Sequence, residues 1–256
     1  MSIVQKHKRV SIFNCPVDPL TMDETIAIIN ESIIAKNSIR HVVINVAKLV
    51  YMQSNSDLYN SVVGCDIINV DGKPIVWASK FFGNNIPERV AGIDVMENLI
   101  NLASKKGYKV FFLGASSDIV KKVVEIYSKM YSLDIVAGYR DGYFNISEEE
   151  EVAKQIAKSG AHMLFVAISS PKKELFLSKY KKSINIPFVM GVGGSFDVVA
   201  GKVRRAPVWM QNGGLEWFFR LVQEPRRMWK RYLYTNTIFI FLIIKYKFRL
   251  IFTNRD

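Results

Sequence analysis

The sequence predicts an α/β protein with a Rossmann-like, mainly parallel sheet flanked by helices. Two observations predict this fold class. Short, continuous segments rich in Val, Ile and Phe alternate along the chain with longer segments of helical periodicity. These short segments are rich in apolar residues, which is typical of strands covered by helices on both faces. A change of composition after residue 201 further predicts a separate C-terminal appendage.

The predicted elements follow in a regular order. A strand over residues 10–17 precedes a helix that opens with Thr21 and Glu24, three residues apart as in a capping box. The apolar stripe of this helix is predicted to be Ile26, Ile29, Ile33 and Ile34. Further strands are predicted over 41–45, 65–70, 109–113, 133–138, 163–168 and 188–191. Helical segments separate them, including one with an acidic first turn from Ser147.

Length, charge and composition limit the class of protein. A chain of 256 residues with 49% hydrophobic residues can build one large domain with an appendage. Its net charge of +12 indicates an anionic partner: nucleic acid, anionic lipid or a phosphorylated substrate. Only two cysteines, Cys15 and Cys65, are present, which favours reduced thiols in the cytoplasm over a disulfide framework.

No membrane-crossing segment is expected. The first ten residues are polar and basic and lack the apolar core of a signal peptide. The longest apolar run near the C-terminus, Ile238–Ile244, is far shorter than the roughly 20 residues that a spanning helix needs. A peripheral position on a membrane stays open.

The predicted boundary divides the chain into a domain over 1–201 and a basic, aromatic appendage over 202–256. The appendage holds twelve Lys or Arg residues and three acidic residues. A helix starting at Pro225 would place one set of residues on a basic side: Arg226, Arg227, Lys230 and Arg231. It would place another set opposite: Met228, Trp229, Tyr232 and Leu233. This pattern predicts contact with an anionic membrane surface; the alternative is a helix docked on its own domain.

Polar residues at predicted strand ends are candidates for a site. Asp71, followed by Gly72, ends a strand where open α/β sheets bind ligands, and could act as a general base. An Asp-Gly turn without chemistry is the alternative. Asn45 also ends a strand, and could orient a sugar hydroxyl or cap the next helix. Arg89 could bridge a diphosphate, or form a surface ion pair with Glu88 or Asp94.

Glycine-rich turns add candidates for phosphate or nucleotide binding. Gly114 opens a strand-to-helix turn whose N–H groups could face a phosphate, although steric need alone also explains such glycines. Gly191 and Gly193, with Asp197 downstream, form a denser glycine-rich strand exit. The three histidines lack metal-ligand spacing, and no Asp-x-Asp pair or Walker-type loop occurs. No metal site is therefore expected.

Several blocks, in order, resemble the WecG/TagA/CpsF family of bacterial glycosyltransferases. The blocks are Asn45–Lys48, Asp71–Gly72, Pro87–Asp94, Asp141–Phe144, Gly191–Gly193, Phe196–Asp197, Ala200–Val203, Arg205–Pro207, Gly214–Trp217, Arg220 and Gln223–Arg227. The resemblance runs from about Val10 to Leu233. It implies an inverting, metal-independent enzyme that moves a sugar from a UDP donor to a polyprenyl-diphosphate-linked saccharide. Such enzymes serve teichoic acid, capsule or related polysaccharide synthesis.

The resemblance also implies roles for individual residues. Asp71 matches the general base, and Arg89 matches a site arginine. Arg220 and Arg227 match arginines that the appendage brings over the site at the membrane, where Lys230 stands in a place often taken by arginine. The implied location is cytoplasmic, on the inner face of the plasma membrane. Burial of the aromatic face off the membrane would favour a homo-oligomer.

Two departures concern the donor sugar. Val43 stands where the family often has threonine, and Lys173 stands where it has glutamine. Both positions lie near the expected sugar pocket, so the donor could be an N-acetylmannosamine derivative, another hexose or a uronic acid. We expect Lys173 to favour a carboxylated or differently oriented hexose.

Two other function classes fit parts of the sequence. A Rossmann-type enzyme using a nucleotide cofactor would explain the glycine turns, but Gly-x-Gly-x-x-Gly does not follow the first strand. A basic lipid- or nucleic-acid-binding module would explain the charge, but does not explain Asp71 and Arg89 at strand exits. We therefore expect a transferase that does not bind nucleic acid.

Overall fold

A computed structural model of the chain describes the backbone of residues 8–253 and the side chains of residues 8–249. The prediction that no signal peptide is present falls largely on residues 1–7, outside the described residues. The strands are β1 Val10–Ile12, β2 Cys15–Val17, β3 Ile39–Ile44, β4 Ile67–Val70, β5 Val110–Gly114, β6 Val136–Arg140, β7 Met163–Ala167 and β8 Phe188–Gly191. Six of them form a parallel sheet in the order β4-β3-β8-β7-β5-β6. The predicted Rossmann-like fold is confirmed.

Helices connect and cover these strands. They are α1 Met22–Ile34, α2 Val46–Met52, α3 Ser56–Val63, α4 Lys73–Phe81, α5 Gly92–Lys106, α6 Ser117–Met130, α7 Glu149–Lys158, α8 Lys172–Lys179, α9 Lys181–Ile184, α10 Ser195–Val199, α11 Val208–Asn212, α12 Glu216–Gln223 and α13 Pro225–Thr253. All strands of the sheet except the edge strand β6 are buried, and apolar clusters lie on both faces. This two-sided burial explains why most strand residues are apolar.

Three predicted elements are wrong in their bounds, and the ends of several other predicted strands differ by one or two residues. Residues 10–17 form two antiparallel strands, β1 and β2, because Phe13 and Asn14 both adopt left-handed backbone conformations and close a two-residue turn. Residues 133–135 form a 3-10 turn, so β6 begins only at Val136. Residues 146–148 form another 3-10 turn before α7.

Helix α1 begins as predicted but buries a different stripe. Thr21 Oγ1 accepts a hydrogen bond from the Glu24 N–H at 3.2 Å, and the Glu24 carboxylate accepts one from the Thr21 N–H at 2.8 Å, which confirms the capping box. Ile28 lies in the core, whereas Ile34 in the last turn is exposed to solvent. The predicted stripe is wrong at its end because Ile34 lies on a different side of the helix from the buried residues Ile29 and Ile33.

The long helix α13 docks on the rest of the chain along one side only. Phe239 is buried, and Tyr246 packs edge-on against Phe13 and Phe82, with ring centroids 5.5 and 4.9 Å apart. The predicted helix from Pro225 is confirmed, and its apolar residues differ in burial: Met228 is buried, whereas others are exposed. These exposed residues are Trp229, Leu233, Ile240, Phe241, Ile244 and Phe248.

None of the helices within the described part of the chain is both long enough and apolar enough to cross a bilayer.

Gly114 has a backbone conformation and a close contact that favour glycine, so we expect its replacement to destabilise the fold. Its φ is +127°, and a Cβ built there would lie 2.5 Å from the carbonyl group of Ala167 on β7. We expect Gly114→Ala to lower the free energy of unfolding by about 3 kcal/mol or more, from backbone strain and overpacking combined. Gly107→Ala is the matched control: its φ is +70° and no atom lies within 4 Å of the added Cβ.

The control should lose only about 1–2 kcal/mol from the left-handed conformation. Urea denaturation of both variants measures the difference. Equal losses would contradict the close approach of β5 and β7 that we describe.

Candidate active site

The parallel sheet brings several predicted residues to one edge. Because all six strands run the same way, their carboxyl ends meet at this edge. Asn45 follows β3 and Asp71 follows the neighbouring β4, where the Asp71 N–H donates to the Ile44 carbonyl at 2.8 Å. Gly191 ends β8 on the other side of β3. The edge formed by β4, β3 and β8 is therefore the candidate site.

Asp71 has the environment of a proton acceptor. Its carboxylate is 28% exposed, and Oδ2 accepts a hydrogen bond from the Gly92 N–H at 3.3 Å. Burial raises the pKa of Asp71 above its ordinary value, while the positive charge of Arg89 opposes this shift. Since a base with a raised pKa binds a proton more strongly, the environment of Asp71 suits general-base chemistry. The role of Asp71 as a general base stays a prediction.

The Arg89 guanidinium is surrounded by carboxylates. Its side chain is only 8% exposed. Nη1 donates to Glu216 Oε2 at 2.5 Å, while Nε lies 3.8 Å from Asp71 Oδ1 and Nη2 lies 3.9 Å from Asp94 Oδ2. Arg89 is therefore not part of a surface ion pair. Glu88, which sequence reasoning offered as a partner, instead accepts from the Met22 N–H at 2.5 Å.

A second arginine from the C-terminal segment joins this group. Arg205 Nη2 lies 2.6 Å from Asp94 Oδ1 and 3.2 Å from the side-chain oxygen of Gln211. Burial raises the pKa of Glu216, an effect that the charge of Arg89 opposes. We call Asp71, Arg89, Asp94, Arg205 and Glu216 the arginine–carboxylate cluster. It joins the sheet edge to the segment over residues 205–216.

A buried charge cluster stands at the ends of β3 and β8. Lys48 Nζ lies 3.0 Å and Lys173 Nζ 2.9 Å from the same oxygen of Glu174, and all three side chains are buried. Burial and the charge of Lys48 lower the pKa of Lys173 to about 8. Burial alone would raise the pKa of Glu174, but the two lysines outweigh it and lower that pKa to about 2. Two cations thus share one anion.

Lys173 also explains one of the predicted glycines. A Cβ at Gly191 would lie 2.6 Å from Cε of Lys173, so the lysine stem occupies the space over the end of β8. Gly193 has φ +55°, which lets the following loop turn back. A Cβ at Gly194 would lie 3.5 Å from Arg220 Nη2. Arg220 therefore lies over this glycine loop.

Arg220 and Arg227 are held together by one acidic residue. Arg220 Nε lies 2.7 Å and Arg227 Nη1 3.0 Å from the two carboxylate oxygens of Glu224. Arg220 is partly buried against the glycine loop, whereas Arg227 is largely exposed. The structure thus brings Arg220 to the β8 end of the candidate site, with Arg227 farther out.

Three predicted residues occupy structural positions. The Asn45 side chain caps α2 by accepting from the Lys48 N–H at 3.0 Å, as its alternative interpretation held. Gly114 packs against Ala167, as described above. Asp197 lies in α10, with Oδ1 3.5 Å from Lys202 Nζ. Whether any of them also contacts a ligand stays a prediction.

Sequence reasoning gave no role to four residues that build the site. Glu216 and Arg205 were recognised only as parts of matching blocks, and Lys48 and Glu174 were not singled out for charge. A Lys or Glu inside an otherwise apolar helix stripe is the only local signal for the latter two. Among the described residues, no group of three or more His, Cys, Asp or Glu side chains could hold a metal ion.

Because two lysines share one glutamate, removing the glutamate charge should lower the free energy of unfolding more than removing one lysine charge. Glu174→Gln leaves two buried ammonium groups without a counterion, so we expect a loss of about 3–5 kcal/mol in the free energy of unfolding. Lys173→Met keeps the aliphatic stem over Gly191 and leaves the Lys48–Glu174 pair, so we expect a loss below about 1 kcal/mol. Urea denaturation at pH 7 compares the two variants.

The pH dependence has a definite sign. Because the folded-state pKa of Glu174 is about 2 and its ordinary value is 4.5, its stabilising effect is complete above pH 4.5. This effect is lost as the pH falls toward 2.

Equal destabilisation by Glu174→Gln and Lys173→Met at pH 7 would contradict the shared-anion arrangement.

Known proteins share the sequence pattern of this chain. The chain matches the family described as "Glycosyl transferase WecG/TagA/CpsF family" over residues 10–252. It is 40% identical over 177 residues to the N-acetylglucosaminyldiphosphoundecaprenol N-acetyl-beta-D-mannosaminyltransferase of Bacillus subtilis (strain 168), covering 69% of this chain and 68% of that protein. It is 38% identical over 168 residues to the protein of the same name from Bacillus spizizenii, covering 66% of this chain and 64% of that relative, slightly less than two thirds of its length. The chain belongs to the WecG/TagA/CpsF family of glycosyl transferases.

Proposed function

We propose that this glycosyltransferase moves a hexose from a UDP-sugar to a polyprenyl-diphosphate-linked saccharide, with inversion at the anomeric carbon and without a metal ion. The observation that carries this proposal is Asp71: a carboxylate with a raised pKa at a strand end, 3.8 Å from the buried Arg89. The names of the two Bacillus relatives support a lipid-diphosphate acceptor and an N-acetylmannosaminyl donor. Family membership favours transfer over a nucleotide-cofactor enzyme or a nucleic-acid-binding module.

In the proposed reaction, Asp71 removes the proton from the acceptor hydroxyl as its oxygen attacks the anomeric carbon. The bond between that carbon and the donor phosphate oxygen breaks, and UDP leaves with the electron pair. Arg89, and Arg220 beside the glycine loop, would stabilise the negative charge that develops on UDP. These fixed cations supply the charge stabilisation that a metal ion gives in other transferases, which supports a metal-independent mechanism.

The donor sugar would lie near Lys173 at the end of β8. Lys173 is buried and shares Glu174 with Lys48, so a carboxylated sugar would find excess positive charge there. N-acetylmannosamine, suggested by the relatives, and a uronic acid are thus the two donors to compare first. A screen of UDP-sugars with a synthetic polyprenyl-diphosphate acceptor, with Asp71→Asn as the inactive reference, tests the proposal.

The lipid acceptor would place the enzyme on the inner face of the plasma membrane. Trp229 and Leu233 on α13 are 49% and 64% exposed, next to basic residues such as Lys230. On α4, Trp77 and Phe81 are also exposed, and Lys247 lies 4.6 Å from the Phe81 ring centroid. Exposed aromatic and basic residues together favour binding to anionic headgroups. Away from lipid, the same surface would favour self-association.

Asp71→Asn should lower kcat by at least about 100-fold, since loss of a general base typically costs this much. The wild-type kcat/KM should fall at acidic pH with a midpoint above 3.8, because protonated Asp71 cannot accept a proton. Arg89→Gln should move this acidic limb to higher pH, because removing the positive charge raises the Asp71 pKa further. Glu125→Gln, an exposed carboxylate paired with Lys129, is the control.

Steady-state kinetics over a pH series measure these effects. A shift of the acidic limb to lower pH in Arg89→Gln, or near-normal turnover by Asp71→Asn, would contradict the assigned roles.

The double variant Trp229→Ala/Leu233→Ala should bind anionic vesicles at least about tenfold more weakly, because two exposed apolar side chains no longer enter the lipid interface. Ile34→Ala, which removes an equally exposed apolar side chain from α1, should bind as the wild type does. Sedimentation with phosphatidylglycerol vesicles measures both. Equal effects of the two changes would rule out the exposed side of α13 as the contact surface.

A further inference from the structure

The Arg89 guanidinium already has three carboxylates around it in the protein without substrate. Three carboxylates and two guanidinium groups make up the arginine–carboxylate cluster, so the ionised cluster carries an excess negative charge. A diphosphate that approaches Arg89 would meet this excess. Because like charges at such distances repel strongly in a partly buried site, one carboxylate must withdraw from Arg89 first.

Two of the three carboxylates are fixed by other contacts. Asp71 follows β4 directly and accepts a hydrogen bond from the Gly92 N–H at 3.3 Å. Asp94 lies in the first turn of α5 and is held by Arg205 at 2.6 Å. Their contacts with Arg89, at 3.8 and 3.9 Å, are longer than hydrogen bonds.

Glu216 differs from both in position and contact. It is the first residue of α12, on the C-terminal segment, and its side chain is 36% exposed. Yet it makes the short contact with Arg89, at 2.5 Å. A side chain at the solvent boundary can turn away without disturbing the sheet edge, which makes Glu216 the carboxylate that can leave.

We propose that Glu216 is a positioning residue that occupies, on Arg89, the place taken by a phosphate oxygen of the bound donor. Carboxylate and phosphate oxygens accept hydrogen bonds from a guanidinium group in the same geometry, so one can substitute for the other. In the free enzyme Glu216 keeps Arg89 extended between Asp71 and Asp94. Donor binding displaces Glu216 and loosens the start of α12. This inference rests on the proposed function.

The proposal predicts a gain of affinity on removing a charge. An internal competitor lowers the apparent affinity for a ligand by the fraction of protein in the occupied state. In Glu216→Gln the side chain keeps its shape but loses its charge, so the dissociation constant for UDP should fall by about three- to tenfold. Glu125→Gln, the same chemical change at the exposed Lys129 pair, should leave the constant unchanged.

Isothermal titration of the full-length protein with UDP measures these constants, and Arg89→Ala serves as the variant without the binding arginine. Tighter binding by Glu216→Gln supports the proposal, since a purely structural role predicts unchanged or weaker binding. An unchanged or higher dissociation constant in Glu216→Gln overturns it. If the wild type does not bind UDP, or Arg89→Ala binds as well as the wild type, the proposed function fails as well.

The wild-type protein provides a measurement that needs no variant. Saturation with UDP should increase amide hydrogen exchange at the first turn of α12, because Glu216 is no longer anchored on Arg89. Unchanged or slower exchange there overturns the proposal.

Discussion

The burial of Arg89 is the constraint on which the rest of the site depends. A guanidinium group with 8% exposure is stable only where acceptors surround it. The sheet edge provides Asp71 and Asp94, but the hydrogen-bonding partner comes from the C-terminal segment. The same electrostatic need therefore shapes the environment of Asp71 and attaches the segment to the sheet. A change in the attachment of the C-terminal segment therefore also changes the environment of Asp71.

The buried cluster of Lys48, Lys173 and Glu174 has a net charge opposite in sign to that of the arginine–carboxylate cluster. Lys48 and Lys173 share Glu174, so the β8 side of the edge carries excess positive charge, whereas the arginine–carboxylate cluster on the β4 side carries excess negative charge. The charge of Lys48 also acts on Asp71. A polar substrate lying across β3 would therefore meet a gradient of potential, which can orient its charged and neutral parts.

Much of the fold could be predicted because it depends on local patterns. Short stretches of sequence are enough to predict the apolar strands, the Thr21–Glu24 cap and the start of α13 at a proline. The turn at Phe13 and Asn14 was missed because it lacks the Asn-Gly or Gly pair that normally marks a two-residue turn. Asp71 was singled out because it follows a strand directly, whereas Arg89 lies in the loop between α4 and α5 and not at a strand end.

The partners of these residues could not be predicted from local patterns. Glu216 lies 127 positions from Arg89, and no periodicity links them. The division of α13 into a docked and an exposed side also depends on tertiary contacts. Trp229 and Met228 are apolar neighbours in sequence, yet Met228 is buried and Trp229 is exposed, and no local pattern distinguishes them.

The docking of α13 has a mechanical consequence for the C-terminal segment. The segment is attached at one end where Arg205 meets Asp94, and again beyond α12 where Phe239 and Tyr246 pack beside Phe13. The contact of Glu216 with Arg89 lies between these two attachments, so displacement of Glu216 need not release the segment at either end. Detachment of the whole segment, in contrast, would expose the aromatic cluster at the Phe13 turn to water.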